Sequence, residues 1–477
     1  MFRTGFSQMM FATSMLSGRR PREQDVLALA NDMRQTLQRF GTLGQDAADM
    51  LGAPADPESQ QYMIERRLRA TILRAARETP YYRSWFAETG VDPDSVTIES
   101  LGSVAPTPKP VLRSMPAAFV SDRSTPTTAA QTTGTTGIPS IVWFSQHELG
   151  VLAGISSMAL MMSGFRSNHV WANCVSSRSI LAITMSRSVE ITGGAFLQLG
   201  LIDPRDALDR LATPLHLPRK EPQITHLNTV PSYLGALVQE AERSGWNAAD
   251  FGLTEIRVGG EVLTDSLARR AAEAFGAKVS EGYAMTEILP VGGQVCSAGH
   301  LHIPLDQGYV EVLDPATREP APPGAVGELT ITPYAAYRET TMLLRYATGD
   351  LVKVLPDGEQ AHCEFRAIPA TSKILGRMSG SAIFTRDILE LLQGERALPL
   401  PTRYAFDEGD GMLYVVGDPG DRSVVARLEE RIIALAIPLR GIVLVEDPAK
   451  LPAPCHVRAD LREHSFNRPP QSCWSMA

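Results

Sequence analysis

The chain has 477 residues, 44% hydrophobic and 21% charged, with 38 Gly, 34 Pro and a formal net charge of −8. That length exceeds what one hydrophobic core usually supports, so two or more domains are expected, and the ordinary composition excludes a disordered or fibrous chain. The acidic balance argues against a nucleic-acid surface but leaves phosphate binding open, because phosphates are held by local groups rather than by net charge.

Between Met1 and Arg20 there is one early cation, Arg3, and several Met and Phe residues. Gln8, Thr13 and Ser14 interrupt any apolar run, so a secretory signal is not expected. Residues 24–40 and 59–78 read as helices, the second with Met63, Leu68, Ile72 and Leu73 at helical spacing and arginines on the other face. Leu149–Phe165 is apolar and uncharged but short and interrupted by Gly and Ser, which favours a buried helix over a membrane span. Strands are expected at Val170–Val175, Ile224–Leu227, Ile256–Val258 and Lys278–Val279. Helices are expected at Ser232–Ser244 and at Thr264–Phe275, with Thr264 or Asp265 as cap.

Such βαβα order implies a mostly parallel sheet covered by helices, with ligands bound just past strand ends. From 308 to 354 short β segments alternate with Pro/Gly turns, which suggests a small β-barrel-like subdomain. Past Gly376 the pattern gives a helix at Arg386–Gln393, strands near Tyr404–Phe406 and Leu413–Val416, a helix at Arg422–Leu435 and a strand at Ile442–Glu446. The expected fold class is therefore α/β, with a large N-terminal domain (1–378) and a small α+β C-terminal domain (379–477). The five cysteines, Cys174, Cys296, Cys363, Cys455 and Cys473, are odd in number and scattered. No disulfide framework is expected, and a reducing, cytoplasmic setting fits.

The stretch Thr132-Thr133-Gly134-Thr135-Thr136-Gly137-Ile138-Pro139 carries the most chemistry. Four hydroxyls and two glycines in eight positions suit a loop whose N–H groups and hydroxyls wrap an anion. It contains neither Gly-x-Gly-x-x-Gly nor a P-loop lysine, and alone it is equally a linker. Downstream lie Gly282-Tyr283-Ala284-Met285-Thr286-Glu287, Tyr346-Ala347-Thr348-Gly349-Asp350 and Gly376-Arg377. In this order the segments resemble the core motifs of the adenylate-forming superfamily, and within it the phenylacetate-CoA ligase branch. Pro80-Tyr81-Tyr82-Arg83, Thr107-Pro108-Lys109-Pro110-Val111-Leu112-Arg113, Gly308-Tyr309-Val310-Glu311-Val312 and Gly327-Glu328-Leu329 are similar to that branch too. The resemblance covers residues from about 60 to about 380.

The resemblance implies that ATP activates a carboxylate as its acyl-adenylate with magnesium present. Thr132, Thr133, Gly134, Thr135, Thr136 and Gly137 would form the phosphate loop. Glu287 would hold magnesium, a hard cation that wants carboxylate and phosphate oxygens; its bland alternative is a glutamate favoured by a helix N-terminus. Thr286 would bond the α-phosphate, and Gly282 and Tyr283 would lie beside adenine. Asp350 would accept both ribose hydroxyls, against the alternative of a turn aspartate. Arg377 would reach ribose or phosphate near the hinge, against a surface arginine. Val258-Gly259-Gly260-Glu261 would line the adenine and acyl pockets, with Gly259, Gly260 and Ala284 at the acid and Gly260 and Glu261 at the nucleotide.

Three departures touch the C-terminal domain. Val457 stands where the family carries a lysine that bridges carboxylate and phosphate, with His456 and Arg458 as neighbouring substitutes. Ser379 replaces the hinge aspartate, and the loop that follows is compressed to Ser381-Ala382-Ile383-Phe384. The adenylating half therefore reads as intact while the CoA step stays open. The branch also suggests a structural zinc, through Cys296 and His302 at Cys-x5-His spacing and His362-Cys363 later, with His300 a spare ligand. Two unrelated polar turns are the alternative.

The leading expectation is activation of a small carboxylic acid, aromatic by the branch resemblance. A second keeps the fold but passes the acyl group to an amine or carrier, or activates another oxyanion such as nitrite. A third is a non-enzymatic nucleotide- or aryl-binding relative, which would not need the magnesium ligand. No nucleic acid or membrane partner is expected. Dimers are common in the branch, which leaves a homodimer open.

Overall fold

The computed structural model describes residues 2–43, 56–131, 139–177, 179–356, 358–359, 363, 365, 368–377, 383–407 and 409–452. Its backbone is an eight-stranded mixed sheet. Strands Ala195–Gln198, Val170–Cys174, His226–Thr229, Glu255–Gly259 and Lys278–Ala284 run parallel, and Gly292–Val295, His300–His302 and Ala370–Ser372 continue it antiparallel. Val170–Cys174 is buried on both faces, as parallel strands covered by helices are.

The connecting helices start and stop where the sequence directs. Pro231 opens Pro231–Ser244, and Gly245 ends it with a positive φ. Asp265–Phe275 is capped by Thr264, whose hydroxyl accepts from the Leu267 N–H at 3.0 Å. The buried helix expected at Leu149–Phe165 is the helix Gln146–Met162, which opens with a capping box of Ser145 and Glu148 and ends three residues sooner. Among the described residues, no helix is long and apolar enough to cross a membrane. The strand expected at Ile224–Leu227 sits two residues later, at His226–Thr229.

The second sheet corrects one expectation. Strands Thr107–Pro108, Tyr346–Lys353, Val326–Pro333 and Gly308–Leu313 follow each other as neighbours, and Gly376–Arg377 also pairs with Tyr346–Lys353. This path is open, so the described residues form no closed barrel. The edge strand has only two residues, the second a proline without an N–H, and the chain turns at once into the helix Lys109–Ser114.

Past Ile383, the helices Thr385–Gln393 and Arg422–Ala434 and the sheet Tyr404–Asp407, Met412–Val416, Gly441–Val445 form the expected α+β unit, with Leu391, Leu392, Leu413, Val415 and Leu428 fully buried. It sits on the main-domain helix Asp265–Phe275. The Glu390 carboxylate accepts from the Asp265 and Ser266 N–H groups at 2.8 and 3.1 Å, and Arg386 reaches Glu281 at 3.0 Å.

One helix was not read from sequence. Phe2–Ser17 packs along Glu23–Phe40 and Pro57–Glu78, burying Phe11 and Met15. Arg67 donates to the Met15 carbonyl at 2.7 Å, and Arg20 pairs with Glu339. The irregular segment 334–341 is thereby buried along its whole length, although it contains Arg338 and Glu339.

Candidate active site

Two registers assemble the site. The parallel pairing of Glu255–Gly259 with Lys278–Ala284 sets Gly259 beside Gly282, so two glycine-bearing motifs far apart in sequence meet at the strand ends. A Cβ on Gly259 would stand 2.9 Å from the Gly282 carbonyl oxygen, so glycine is required there for strand contact rather than for a flat ligand. Gly260 has φ +83°, which turns the chain away from the sheet. Glu261 then turns back, its carboxylate accepting from the Ser232 N–H at 2.9 Å.

In the second sheet Thr107 pairs with Tyr346 and Pro108 with Ala347, which delivers Lys109 to the site. Its ammonium lies 3.2 Å from the Glu287 carboxylate, with side-chain exposures of 15% and 1%. The Tyr346 hydroxyl donates to the same Glu287 oxygen at 3.1 Å. Burial lowers the Lys109 pKa, with Arg377 acting in the same sense and Glu287 and Asp350 opposing it. Burial raises the Tyr346 phenol, helped by Glu287, so it stays a donor.

A second carboxylate is held in the same fashion. Asp350 and Arg377 are cross-strand partners, and the guanidinium Nε lies 3.5 Å from the Asp350 carboxylate. The Tyr283 hydroxyl donates to Asp350 at 3.0 Å, and burial with Asp350 beside it pushes that phenol well up. Glu287 and Asp350 thus each carry one cation and one phenol, and the two clusters share the field on Lys109. Ala284, the last residue of its strand, and Thr286, on the turn before Glu287, are partly buried, and Gly282 is exposed within the strand.

Glu287, Tyr283, Asp350 and Arg377 are therefore brought together as the motif order suggested. The Thr132–Gly137 loop lies outside the described residues, as do Ser379, Ser381, Ala382, His456, Val457 and Arg458. Lys109 was missed as a site residue. Its signal was a lysine between two prolines inside a quoted motif, but nothing local shows that it reaches Glu287.

A second cluster stands on the antiparallel side of the main sheet. Cys296, His300, His302 and Cys363 are all buried, and their ligand atoms lie within 4.8 Å of one another. His302 Nδ1 is 2.9 Å from the Ile368 carbonyl, which leaves Nε2 facing Cys363 Sγ at 3.0 Å. His300 Nδ1 is buried with no partner. Cys296, His302 and Cys363 of the expected set fall in this group together with His300, the spare candidate, and His362 lies outside the described residues. Two thiols and two imidazoles at this spacing fit tetrahedral zinc, whose ligands at 2.0–2.3 Å stand about 3.3–3.8 Å apart.

The AMP-binding enzyme profile matches residues 78–338, more than half of the chain and spanning Glu287 and the Gly282 motif. The chain belongs to the AMP-binding enzyme family. It is adenylate-forming in fold and phenylacetate-CoA ligase-like in sequence. Phenylacetate-coenzyme A ligase of Thermus thermophilus is 29% identical over 308 residues, covering 62% of this chain and 65% of that enzyme. The Pseudomonas putida enzyme of the same name is 27% identical over 314 residues, covering 62% and 67%. The match to the Thermus enzyme thus spans slightly less than two thirds of its length. Among solved structures, 2-hydroxyisobutyryl-CoA ligase in the postadenylation state superposes with a TM-score of 0.67 at 20% identity, over 84% of this chain and 88% of that one. A benzoate CoA ligase from Burkholderia xenovorans superposes at 0.50 and 17% identity, over 69% and 67%. At such identities these two speak for the fold alone.

Proposed function

We propose that this chain uses ATP and magnesium to activate a small aromatic carboxylic acid as its acyl-adenylate, releasing pyrophosphate. The observation that carries the reading is the pair of buried carboxylates, Glu287 just past the parallel strand Lys278–Ala284 and Asp350 in the second sheet, each clamped by a cation and a phenol. A mere nucleotide-binding relative has no need of a desolvated Glu287. Glu287 would hold the magnesium, which neutralises phosphate charge when bound. Asp350 would fix the ribose, orienting the α-phosphorus toward the acid. A substrate carboxylate oxygen bonds to that phosphorus as the bond to pyrophosphate breaks. Lys109, held in place beforehand, would supply positive charge where negative charge gathers.

The cross-strand pairing that ends at Arg377 supports a boundary at 378/379 and a C-terminal domain able to turn about it. We assign a structural zinc to Cys296, His300, His302 and Cys363. The reading covers the adenylation half-reaction and leaves the acceptor, CoA or another nucleophile, to product analysis. The test is acid-dependent exchange of labelled pyrophosphate into ATP with a panel of small aliphatic and aryl acids. Magnesium-dependent exchange is expected with an aryl acid, falling by on the order of 10²–10³ in Glu287→Gln. Absence of exchange with every acid, or full exchange by Glu287→Gln, would overturn it.

A further inference from the structure

Beside the Glu287 turn lies a small, partly open space that the family motifs do not explain. Its volume is about 10 Å³, and its walls include Phe144, Glu148, Leu152, Leu289, Pro290 and Arg338. Phe144, Leu152 and Leu289 belong to one apolar cluster with Ala130, and Ala284 packs against that cluster. The apolar cluster that walls the space therefore also touches Ala284, the strand-end residue expected at the acid, and includes Ala130 on the strand Thr128–Gln131.

Arg338 is the unusual wall. Its side chain is 2% exposed, and its Cζ sits 4.2 Å from the centre of the Phe144 ring. Nη2 donates to the Thr341 carbonyl at 3.2 Å, while Nε and Nη1 are buried with no hydrogen-bond acceptor. Leaving such donors unmade is costly, so they point to a group that completes them. Glu148 is 3.9 Å from Nε, too far for a hydrogen bond. Its oxygens are already taken by the N–H groups of Ser145, Glu339 and Thr340 and by the Thr340 hydroxyl.

Charge and size then define the missing group. Glu148 offsets the Arg338 charge, and Glu287 adds a second negative field on it. A further anion would meet two carboxylates, whereas a neutral acceptor would not. A space of about 10 Å³ holds roughly one water, hence one oxygen substituent and not a ring.

We propose that Arg338 is a specificity residue of the acid site and reads one uncharged oxygen, such as a hydroxyl, on the tail of the aryl acid. The inference rests on the adenylation reading and adds the substrate class, a hydroxylated aryl acid. The ring lies on the Ala284 side, and its oxygen drops against Arg338. A site built to bond a substrate hydroxyl discriminates strongly against the analogue lacking it, because the buried donors are then left unpaired.

The experiment is pyrophosphate exchange with matched pairs, benzoate and phenylacetate against each of their ring-monohydroxylated isomers. In the natural chain one hydroxylated member should exceed its parent acid in kcat/KM by at least about a hundredfold, a conservative floor for such sites. In Arg338→Met the gap should close to under about tenfold, chiefly by loss on the hydroxylated acid. Should Arg338→Met not fold, the double variant Arg338→Gln, Glu148→Gln preserves the charge balance and should also narrow the gap. Equal kcat/KM within every pair in the natural chain would overturn the subsite while leaving adenylation standing. An equal loss on both members in the variants would reduce Arg338 to a structural role. No exchange with any acid would overturn the adenylation reading, and the subsite with it.

Discussion

Replacing Lys109 with methionine tests the central electrostatic contact of the site without any substrate. The ammonium and the Glu287 carboxylate are 3.2 Å apart and largely desolvated. At an effective dielectric near 20 their attraction is about 5 kcal/mol. Removing one partner of a buried pair typically costs about 3–5 kcal/mol, because the other charge is stranded. Two features lower that figure here. Methionine keeps most of the side-chain volume, and the Tyr346 hydroxyl still donates to Glu287 at 3.1 Å. The expected cost of Lys109→Met is therefore about 2–4 kcal/mol. Glu287→Gln should cost less, because Lys109 is 15% exposed and also feels Asp350. With both charges removed nothing is stranded, so the double variant should be more stable than the sum of the singles predicts, by about 1–3 kcal/mol.

A chain of this size need not unfold in one step, so the measured quantity is the thermal midpoint of the N-terminal core. Trp85, Trp143, Trp171 and Trp246 report on that core by fluorescence. The double-variant midpoint should sit above the additive value. The pH dependence gives a second check with a definite sign. Burial lowers the Lys109 pKa, so its charge is lost at lower pH than an ordinary lysine's. The coupling should fade as pH rises through that lowered value, before 10.5 is reached. Midpoints that add within error at neutral pH would mean that the two groups do not share an interaction, and the site geometry would be wrong.

Metal analysis of protein purified without added zinc should find about one zinc per chain, and Cys296→Ser should lose it; full stability of the natural chain without metal would remove that assignment. His226 supplies an acid limb. Burial, with His169 and Arg257 against Glu255, pulls its pKa down to about 4. The folded state holds it neutral above that value while the unfolded state protonates below about 6.5. Stability should therefore fall as pH drops from 6.5 toward 4, by up to about 3 kcal/mol in all. His226→Phe, which keeps a ring beside Trp171, should flatten that limb; an unchanged limb would assign the loss to other groups.

What was legible in the sequence was whatever rests on local pattern. Thr264 as a cap, the helix after Pro231 and the buried strand at Val170 follow from residue chemistry within a few positions. Glu287, Asp350 and Arg377 were legible because their motifs resemble, in order, those of the adenylate-forming superfamily, and Glu287 also lies just past a parallel strand, where an open α/β sheet gathers its ligands. Lys109 was not, because its place depends on a two-residue parallel pairing with Tyr346 and Ala347, more than two hundred positions away. Arg338 was hidden more deeply. A polar run such as Ala336-Tyr337-Arg338-Glu339-Thr340 reads as an exposed loop. It is buried because the first helix, read only as too interrupted for a signal, brings Met15 to Arg67 and Tyr337, while Arg20 beyond it reaches Glu339. The open second sheet failed for a related reason, since closure depends on one short proline edge that hydropathy alone does not show.

The placement of Lys109 bears on the lysine that Val457 lacks. A charge carried on a rotating domain acts only when that domain is turned in. Lys109 stands on the fixed sheet, pinned by the Thr107–Pro108 pairing and held against Glu287 before any ligand arrives. On the adenylation reading, that preorganised charge sits where negative charge develops and needs no domain closure to reach it. The C-terminal unit would then be released from the first half-reaction, and its sequence could drift at the positions the family keeps for bridging carboxylate and phosphate. Glu390 and Gln393 hold the N-terminal end and cap of the helix Asp265–Phe275, and Arg386 holds Glu281 on the strand Lys278–Ala284, so these contacts seat the unit on the main sheet. On that reading the valine at 457 has a physical reason, namely that the positive charge of the family's lysine would have a second source in Lys109.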